Sequence, residues 1–384
     1  MAVVRSARGA FTDHCEWTGE TAEDRESWLR ARRLGIGGSD AAAIMGVDEY
    51  KSELAVYAEK VSEKAPDDAS SEVAEWGTLF EPIILKTYAN RSQRHVVRGG
   101  RLLRSKRAAH HLITLDGVQL TKPPAWAKGP GVAEVKTTGF GGDYKDDVPV
   151  KVQIQMQWQL FVTGAEWATC IWLPFPERRM QWIDVAPHPE FQEVLAAKVD
   201  AFWLRVQKRL PPDPDGSESS RLALRELYPE DSEEVVRIIG ATGIADEFQR
   251  NKAAIELLEQ RQSLIKNMLA ATVRSAKYAV LEDGRYWGAS VYGPRQNRCR
   301  HCSEVLSETK GYRTLVLREP RKKAFDPPVA TLRLPAALFE GEPDLVPALE
   351  ASLMPAALPA NAQQDDAGSL ISGPPANEQE HETA

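Results

Sequence analysis

Long apolar runs are missing from this chain. No segment approaches the ~20 consecutive apolar residues that span a bilayer. Residues 1–20 have no apolar core and contain Asp13, Glu16 and Glu20. Neither a membrane anchor nor a secretory leader is expected. Cysteine is scarce: four in 384 residues, at positions 15, 170, 299 and 302. A disulfide framework in a chain this long is excluded, and a reducing cytoplasm is the simplest compartment. Cys299-Arg300-His301-Cys302 has no second pair to complete a four-ligand zinc site, so it reads as a surface turn with two thiols. The glycine turn Gly35-Ile36-Gly37-Gly38-Ser39-Asp40 lacks the Gly-Lys-Ser/Thr ending of a Walker loop. It is either a plain turn that caps a short helix or a set of N–H groups offered to an anion. Taken alone, the plain turn is the simpler reading.

Lys and Arg are absent after Arg333, where nine acids fall, the last at Glu382. The net charge of −7 argues by itself against a nucleic-acid partner, but the distribution reverses the argument. Residues 1–333 hold 48 basic and 46 acidic side chains. Residues 91–111 contain Arg91, Arg94, Arg98, Arg101, Arg104, Lys106 and Arg107 and no acid. That stretch is either a phosphate-tracking patch or a solvated charged hairpin.

Residues 112–138 organise the rest. Leu112-Ile113-Thr114-Leu115-Asp116-Gly117 and Gly131-Val132-Ala133-Glu134-Val135-Lys136-Thr137 read as two strands around a Pro/Gly-rich connection. In a strand, residues two apart share a face, so Glu134 and Lys136 point together and Ala133 and Val135 point oppositely. An acid and a lysine in an otherwise apolar strand are costly to desolvate unless they are used. If the strands pair, Asp116 joins them, and the oxygen donors suit Mg²⁺ or Mn²⁺.

Helices are expected over 21–33, 52–64, 73–94, 148–164 and 188–209, with strands between. This order predicts an α/β fold with a mixed central sheet flanked by helices. Residues 1–20 read as a flexible arm, 21–210 as the main domain and 211–220 as a linker. Residues 221–326 read as a smaller α+β extension, with a long polar helix or a helical hairpin over 244–275. Residues 327–384 read as a disordered acidic tail. Glu81 lies among apolar residues of its helix, as an edge residue or a site carboxylate. Gln155 and Gln159 share one flank of the 148–164 helix, and Gln153 and Gln157 share the other.

The motifs stand in a recognisable order: Arg33-Leu34-Gly35-Ile36-Gly37-Gly38-Ser39-Asp40-Ala41, Trp76-Gly77-Thr78-Leu79-Phe80-Glu81-Pro82, Leu115-Asp116-Gly117, Glu134-Val135-Lys136-Thr137, and Gln155-Met156-Gln157-Trp158-Gln159-Leu160. Together they resemble the YqaJ-like viral recombinases, the lambda-type phage exonucleases of the PD-(D/E)XK nuclease superfamily. The resemblance implies a restriction-endonuclease-like core and a metal-dependent 5′→3′ exonuclease acting on ends of linear double-stranded DNA. It implies Asp116, Glu134, Glu81 and the Val135 main-chain carbonyl as metal ligands, Lys136 as catalytic lysine and Gln155 as the site glutamine. Arg33 and Ser39 fall on the positions that bind a terminal 5′-phosphate, with Arg32 adjacent. Arg98, Arg101 and Arg104 would hold the duplex backbone. Mg²⁺ as cofactor, a single-strand annealing protein as partner and a trimeric ring as assembly follow from the same resemblance. The competing readings are an endonuclease or single-strand nuclease on this fold, and a catalytically silent DNA-binding scaffold.

Overall fold

The computed structural model describes residues 9–64, 72–138, 148–174, 179–230, 233–298 and 302–321. The acidic tail expected over 327–384 and the Cys299-Arg300-His301 segment lie outside these residues. The chain divides into two compact units, the first ending at Glu233 and the second beginning at Glu234.

The first unit runs β1 (Cys15–Thr21), α1 (Arg25–Arg32), α2 (Gly38–Ile44), α3 (Glu53–Val61), α4 (Glu72–Ser92), β2 (Val96–Arg98), β3 (Arg101–Ser105), β4 (Leu112–Thr114), β5 (Gly117–Gln119), β6 (Gly131–Thr138), α5 (Val150–Thr163), β7 (Ala168–Pro174), β8 (Gln181–Val185), α6 (Pro189–Gln207) and α7 (Glu218–Leu227). Its main sheet has the order β2-β5-β6-β7-β8. β6 and β7 are parallel with α5 as the crossover; the other pairs are antiparallel. This is the mixed α/β core that the order of elements predicts.

The two-residue period of β6 sorts the layers. Ala133 and Val135 pack with Ile84, Leu85 and Tyr88 of α4. Val132 joins Ile154, Met156 and Trp158 of α5 on the other face. β7 is apolar almost throughout and buried on both faces, as an internal strand with a parallel neighbour must be. α5 carries apolar residues on two sides and is buried nearly all round. Its Trp158 Nε1 donates to the carbonyls of Ile36 (3.3 Å) and Leu112 (3.2 Å).

A second sheet, β1-β3-β4, is continuous in chain with the first. β3 pairs β4 and β2 pairs β5, so one two-stranded ribbon passes from sheet to sheet. Between the halves, Gly99 N–H donates to Asp116 O and Gly100 N–H to Leu115 O, each at 2.8 Å. A Cβ at Gly99 would lie 1.8 Å from the Leu115 carbonyl oxygen, so the ribbon closes here only with glycine.

Two expected boundaries move. Of the arm expected over 1–20, Cys15–Thr21 is strand β1, paired with β3. Ala10 and Cys15 are buried in the core, because this strand shields one edge of β3. The first unit also extends past 210. Ala223 of α7 is buried in its core, and Ser219 Oγ accepts the Ser52 N–H at 3.0 Å, fastening α7 to the start of α3. The Pro-rich stretch over 211–216 is a connection within the unit, not the division between units.

The second unit consists of α8 (Thr242–Val273), β9 (Tyr278–Val280), β10 (Tyr286–Tyr292), β11 (Arg295–Arg298), β12 (Val305–Thr309) and β13 (Tyr312–Arg318). β13-β10-β9 form an antiparallel sheet, and β11-β12 a separate hairpin. Leu269 and Val273 of α8 bury Leu315 of β13, flanked by Trp287 and Ala289 of β10.

Candidate active site

Asp116 occupies the bend of the ribbon, where β5 begins. β5 pairs with β6 only from Gly131 to Ala133. Beyond that point the β5-facing edge of β6 has no strand, and the Asp116 side chain takes its place: Oδ2 accepts the Val135 N–H at 2.8 Å. Val132 N–H donates to Trp167 O on the other edge. Backbone groups alternate edges along a strand, so the Val135 carbonyl lies on the Asp116 side.

Glu134, two residues from Val132, points into the α5 layer and is buried. Its Oε1 lies 2.6 Å from Lys136 Nζ and accepts the Gln155 amide at 2.6 Å. Its Oε2 accepts the Gln159 amide. Lys136 Nζ also donates to Gln155 Oε1 at 3.0 Å. Gln155 thus bridges the acid and the lysine, and Gln159, one helical turn on, holds the second carboxylate oxygen. Gln157 faces elsewhere, accepting from the His188 N–H and the Gln192 amide.

Glu81 comes from α4, on the other layer. Burial raises its carboxyl above the usual range, with repulsion from Glu134 adding to the effect; Arg98, with Nε 3.8 Å away, and Lys136 oppose it. Asp116 is raised well above its ordinary value, first by burial and then by Glu134 and Glu81, against Lys136 and the Val135 N–H. Three carboxylates that repel one another, with an adjacent carbonyl, are a hard-oxygen donor set. They fit a Mg²⁺ or Mn²⁺ ion.

Glu81 and Asp116 open onto a cleft of about 950 Å³ lined also by Gln155, Arg32, Ser39 and Arg98, among others. The glycine turn packs against the site: a Cβ at Gly38 would meet Gln155 Cγ at 3.0 Å. The N–H groups of this turn are in part already used. Ile36 donates to His110 O, and Gly37 to Asp40 Oδ2. Arg32 Nη2 donates to Ser39 Oγ at 3.1 Å, with Ser39 exposed to the cleft.

Arg33 is placed differently from expectation. Its guanidinium donates to the carbonyls of Ser62 and Lys64, and it does not line the cleft. Consecutive helical residues point about 100° apart, so Arg32 and Arg33 cannot both face Ser39. Arg98 and Arg101 line the cleft, Arg101 also lying 4.8 Å from the Trp17 ring. Arg104 does not line it; it faces Glu16, its cross-strand partner, at 3.7 Å. Arg94 is likewise spent inside the fold, bonded through both terminal nitrogens to Asp184 at 2.6 Å.

Under Ser39, Asp40 is fully buried with Lys60 at 2.7 Å, Lys51 at 3.0 Å and Arg32 at 3.7 Å. A further donor group, His110, His111 and Asp200, stands apart from the carboxylates. There both Nε2 atoms contact the same Asp200 oxygen, at 2.7 and 2.6 Å, which ties the start of β4 to α6. Sequence reasoning did not single out Gln159, Lys51 or Lys60. Gln159 carried a usable signal, one turn from Gln155 on the same flank; the lysines carried none.

Residues 27–166 match the model of the YqaJ-like viral recombinase domain. The uncharacterized protein YqaJ of Bacillus subtilis (strain 168) is 24% identical over 264 residues, covering 67% of this chain and 81% of that protein. The alkaline exonuclease LHK-Exo of Laribacter hongkongensis, solved in complex with dAMP, aligns with a TM-score of 0.40 at 16% identity, over 48% of this chain and 94% of that one. A phage related exonuclease from Haemophilus somnus 129PT aligns with a TM-score of 0.33 at 13% identity, over 46% and 95%. No helix among the described residues is long and apolar enough to cross a membrane. The stretch that matches this family, residues 27–166, contains Glu81, Asp116, Glu134, Lys136 and Gln155.

Proposed function

We propose that this chain is a divalent-cation-dependent nuclease that degrades one strand of linear double-stranded DNA from its 5′ end. The observation that carries the reading is that Glu81 and Asp116 line one cleft with Gln155, which ties Glu134 to Lys136. A silent scaffold would have no use for three mutually repelling carboxylates beside a lysine.

Glu81, Asp116, Glu134 and the Val135 carbonyl would hold Mg²⁺ or Mn²⁺. Such an ion supplies a Lewis acid that makes a water nucleophilic near neutral pH and steadies the leaving oxygen. Lys136, oriented by Glu134 and Gln155, positions the attacking water and offsets negative charge as it develops on the phosphate. Water adds to phosphorus and the P–O3′ bond breaks. The terminal mononucleotide leaves with a 3′-hydroxyl, and the shortened strand carries a new 5′-phosphate. Arg32 and Ser39 bind that terminal phosphate and so set cleavage at an end. Arg98 and Arg101 contact the backbone without reading bases. The 3′ single strand left behind would pass to an annealing protein.

The test is to incubate the protein with Mg²⁺ and linear duplexes bearing 5′-phosphate or 5′-hydroxyl, beside closed circles. Release of 5′-mononucleotides from phosphorylated linear ends is expected. Cutting of closed circles would establish an endonuclease instead. A Lys136→Ala variant with full activity would overturn the site assignment.

A further inference from the structure

Among the described residues, the sheet β13-β10-β9 of the second unit has one face packed on α8 and one face open. Trp287, Ala289 and Leu315 face α8. Residues paired across strands share a face, so register defines the opposite side. Tyr292 pairs with Tyr312, Tyr286 with Arg318 and Val280, and Gly288 with Tyr278. Four tyrosines and Arg318 therefore lie on one side of a three-stranded sheet. The remaining positions of that face are small, hydroxyl-bearing or aliphatic, and none is acidic.

These rings are accessible. Tyr278, Tyr292 and Tyr312 are 39%, 48% and 56% exposed. Tyr292 and Tyr312 stack at 4.9 Å with 22° between planes. Tyr278 and Tyr286 meet edge to face at 5.8 Å. Cations accompany the rings: Lys277 lies 5.4 Å and Arg321 5.8 Å from the centre of Tyr278. Arg318 lies across the floor left open by Gly288, its Nε 3.3 Å from where a Cβ would stand. Residues 274–321 carry ten Lys and Arg against five Asp and Glu, in a chain whose net charge is −7.

Exposed tyrosines on a basic face would also serve a protein partner of opposite charge. Flat rings spaced along strands and interleaved with cations on an acid-free surface match a polyanion with exposed planar groups more closely. From Tyr286 to Tyr292 the strand covers ~20 Å, room for several unpaired bases. In a duplex the base faces are already stacked, so only a single strand can use the rings.

We propose that the open face of β13-β10-β9 binds single-stranded nucleic acid, with Tyr292, Tyr312, Tyr278 and Tyr286 as stacking surfaces and Arg318, Lys277 and Arg321 as phosphate contacts. In a nuclease of the kind proposed above this face receives the strand that hydrolysis leaves. The binding itself does not depend on that reading and is measured without hydrolysis.

The test uses the full chain in EDTA with fluorescently labelled oligo-dT of about 15 nucleotides, read by anisotropy. A Tyr292→Ala/Tyr312→Ala variant should bind ~10–100-fold more weakly. Tyr292→Phe/Tyr312→Phe should bind within about twofold of the wild type, because stacking needs the ring and not the hydroxyl. Arg318→Gln should lower the slope of log affinity against log salt by ~0.7. Unchanged Mg²⁺-dependent digestion of a short duplex by the alanine variant would show an intact first unit. Oligo-dT affinity unaltered in the alanine variant overturns the proposal and leaves the face to a protein partner. A phenylalanine variant as weak as the alanine one overturns the stacking role.

Discussion

Asp40 and Asp116 are both carboxylates of the first unit withdrawn from water, and their surroundings drive them in opposite directions. Burial acts to raise both. At Asp40 it is overcome by Lys51, Lys60 and Arg32, which hold the carboxyl well below its ordinary range. At Asp116 it is reinforced by Glu134 and Glu81, which push the carboxyl well above it. The first group has a surplus of cations and leaves Arg32 beside Ser39 at the cleft. The second has three carboxylates against Lys136 and Arg98, a surplus of negative charge. The same residue type therefore sits in a cationic group at one place and an anionic group at another, which is the division that the proposed function requires.

The largest expected effect comes from breaking the anionic group. Glu134→Gln removes the charge that Lys136, Gln155 and Gln159 are arranged around. Hydrolysis of linear duplex should fall by ~10³-fold, in steady-state assays, with an unchanged circular dichroism spectrum. Retained activity would show that the carboxylate is structural.

Breaking the cationic group should act on stability first. Asp40→Asn leaves Lys60 buried without its 2.7 Å counter-ion, at a cost of ~3–5 kcal/mol. Denaturant unfolding should show the loss. An Asp40→Asn/Lys60→Met double variant should recover much of it, because the uncompensated charge is then gone.

A finer comparison separates neighbouring arginines. Arg32→Ala should reduce the preference for 5′-phosphate over 5′-hydroxyl ends by ~10–100-fold, the range for a charge-assisted bidentate contact. Arg33→Ala should leave the ratio within about twofold, since Arg33 faces the Ser62 and Lys64 carbonyls. The opposite pattern would reject the placement of Arg32 at the end-binding position.

The smallest effect concerns pH. Because Asp116 and Glu81 have raised values, the folded protein retains protons that the unfolded chain releases near ~4. Metal-free stability from this pair is full below that range and declines as pH rises through the folded values. Added Mn²⁺ competes with those protons, so its apparent affinity should increase with pH and it should flatten the decline. Thermal melts from pH 4 to 8, with and without Mn²⁺, measure both. A melting temperature that rises equally in both series would contradict the carboxylate cluster.

Much of this site was legible in the chain because its signals are local. Glu134 and Lys136 share a face by strand period, and Gln155 and Gln159 share a flank by helical period. Asp116 stands before a glycine where direction can change, and the structure puts the sheet-to-sheet bend there. Element types followed from the same periodicities. The strand over 15–21 escaped notice because Cys15 is its only buried residue. Its pairing with β3 is a long-range contact that no local pattern encodes. The limit of the first unit was misplaced at a Pro-rich stretch because composition reports a turn and not whether the following helix packs back. Ala223 does pack back, against α3.

By itself, the order of residues determined the mixed α/β class and the acid–acid–lysine set, since backbone period and desolvation cost act within a few residues. The chemistry proposed above starts from that set, because hard oxygen donors and an ammonium suit few tasks. Tertiary structure alone decided which arginine meets Ser39, because two adjacent helical side chains diverge and only packing chooses between them. It alone brought Lys51 and Lys60 under Asp40, made Glu81 a neighbour of Asp116, and laid four tyrosines from three strands on one open face. Those arrangements depend on closures across tens of residues, whose geometry is set by the whole fold.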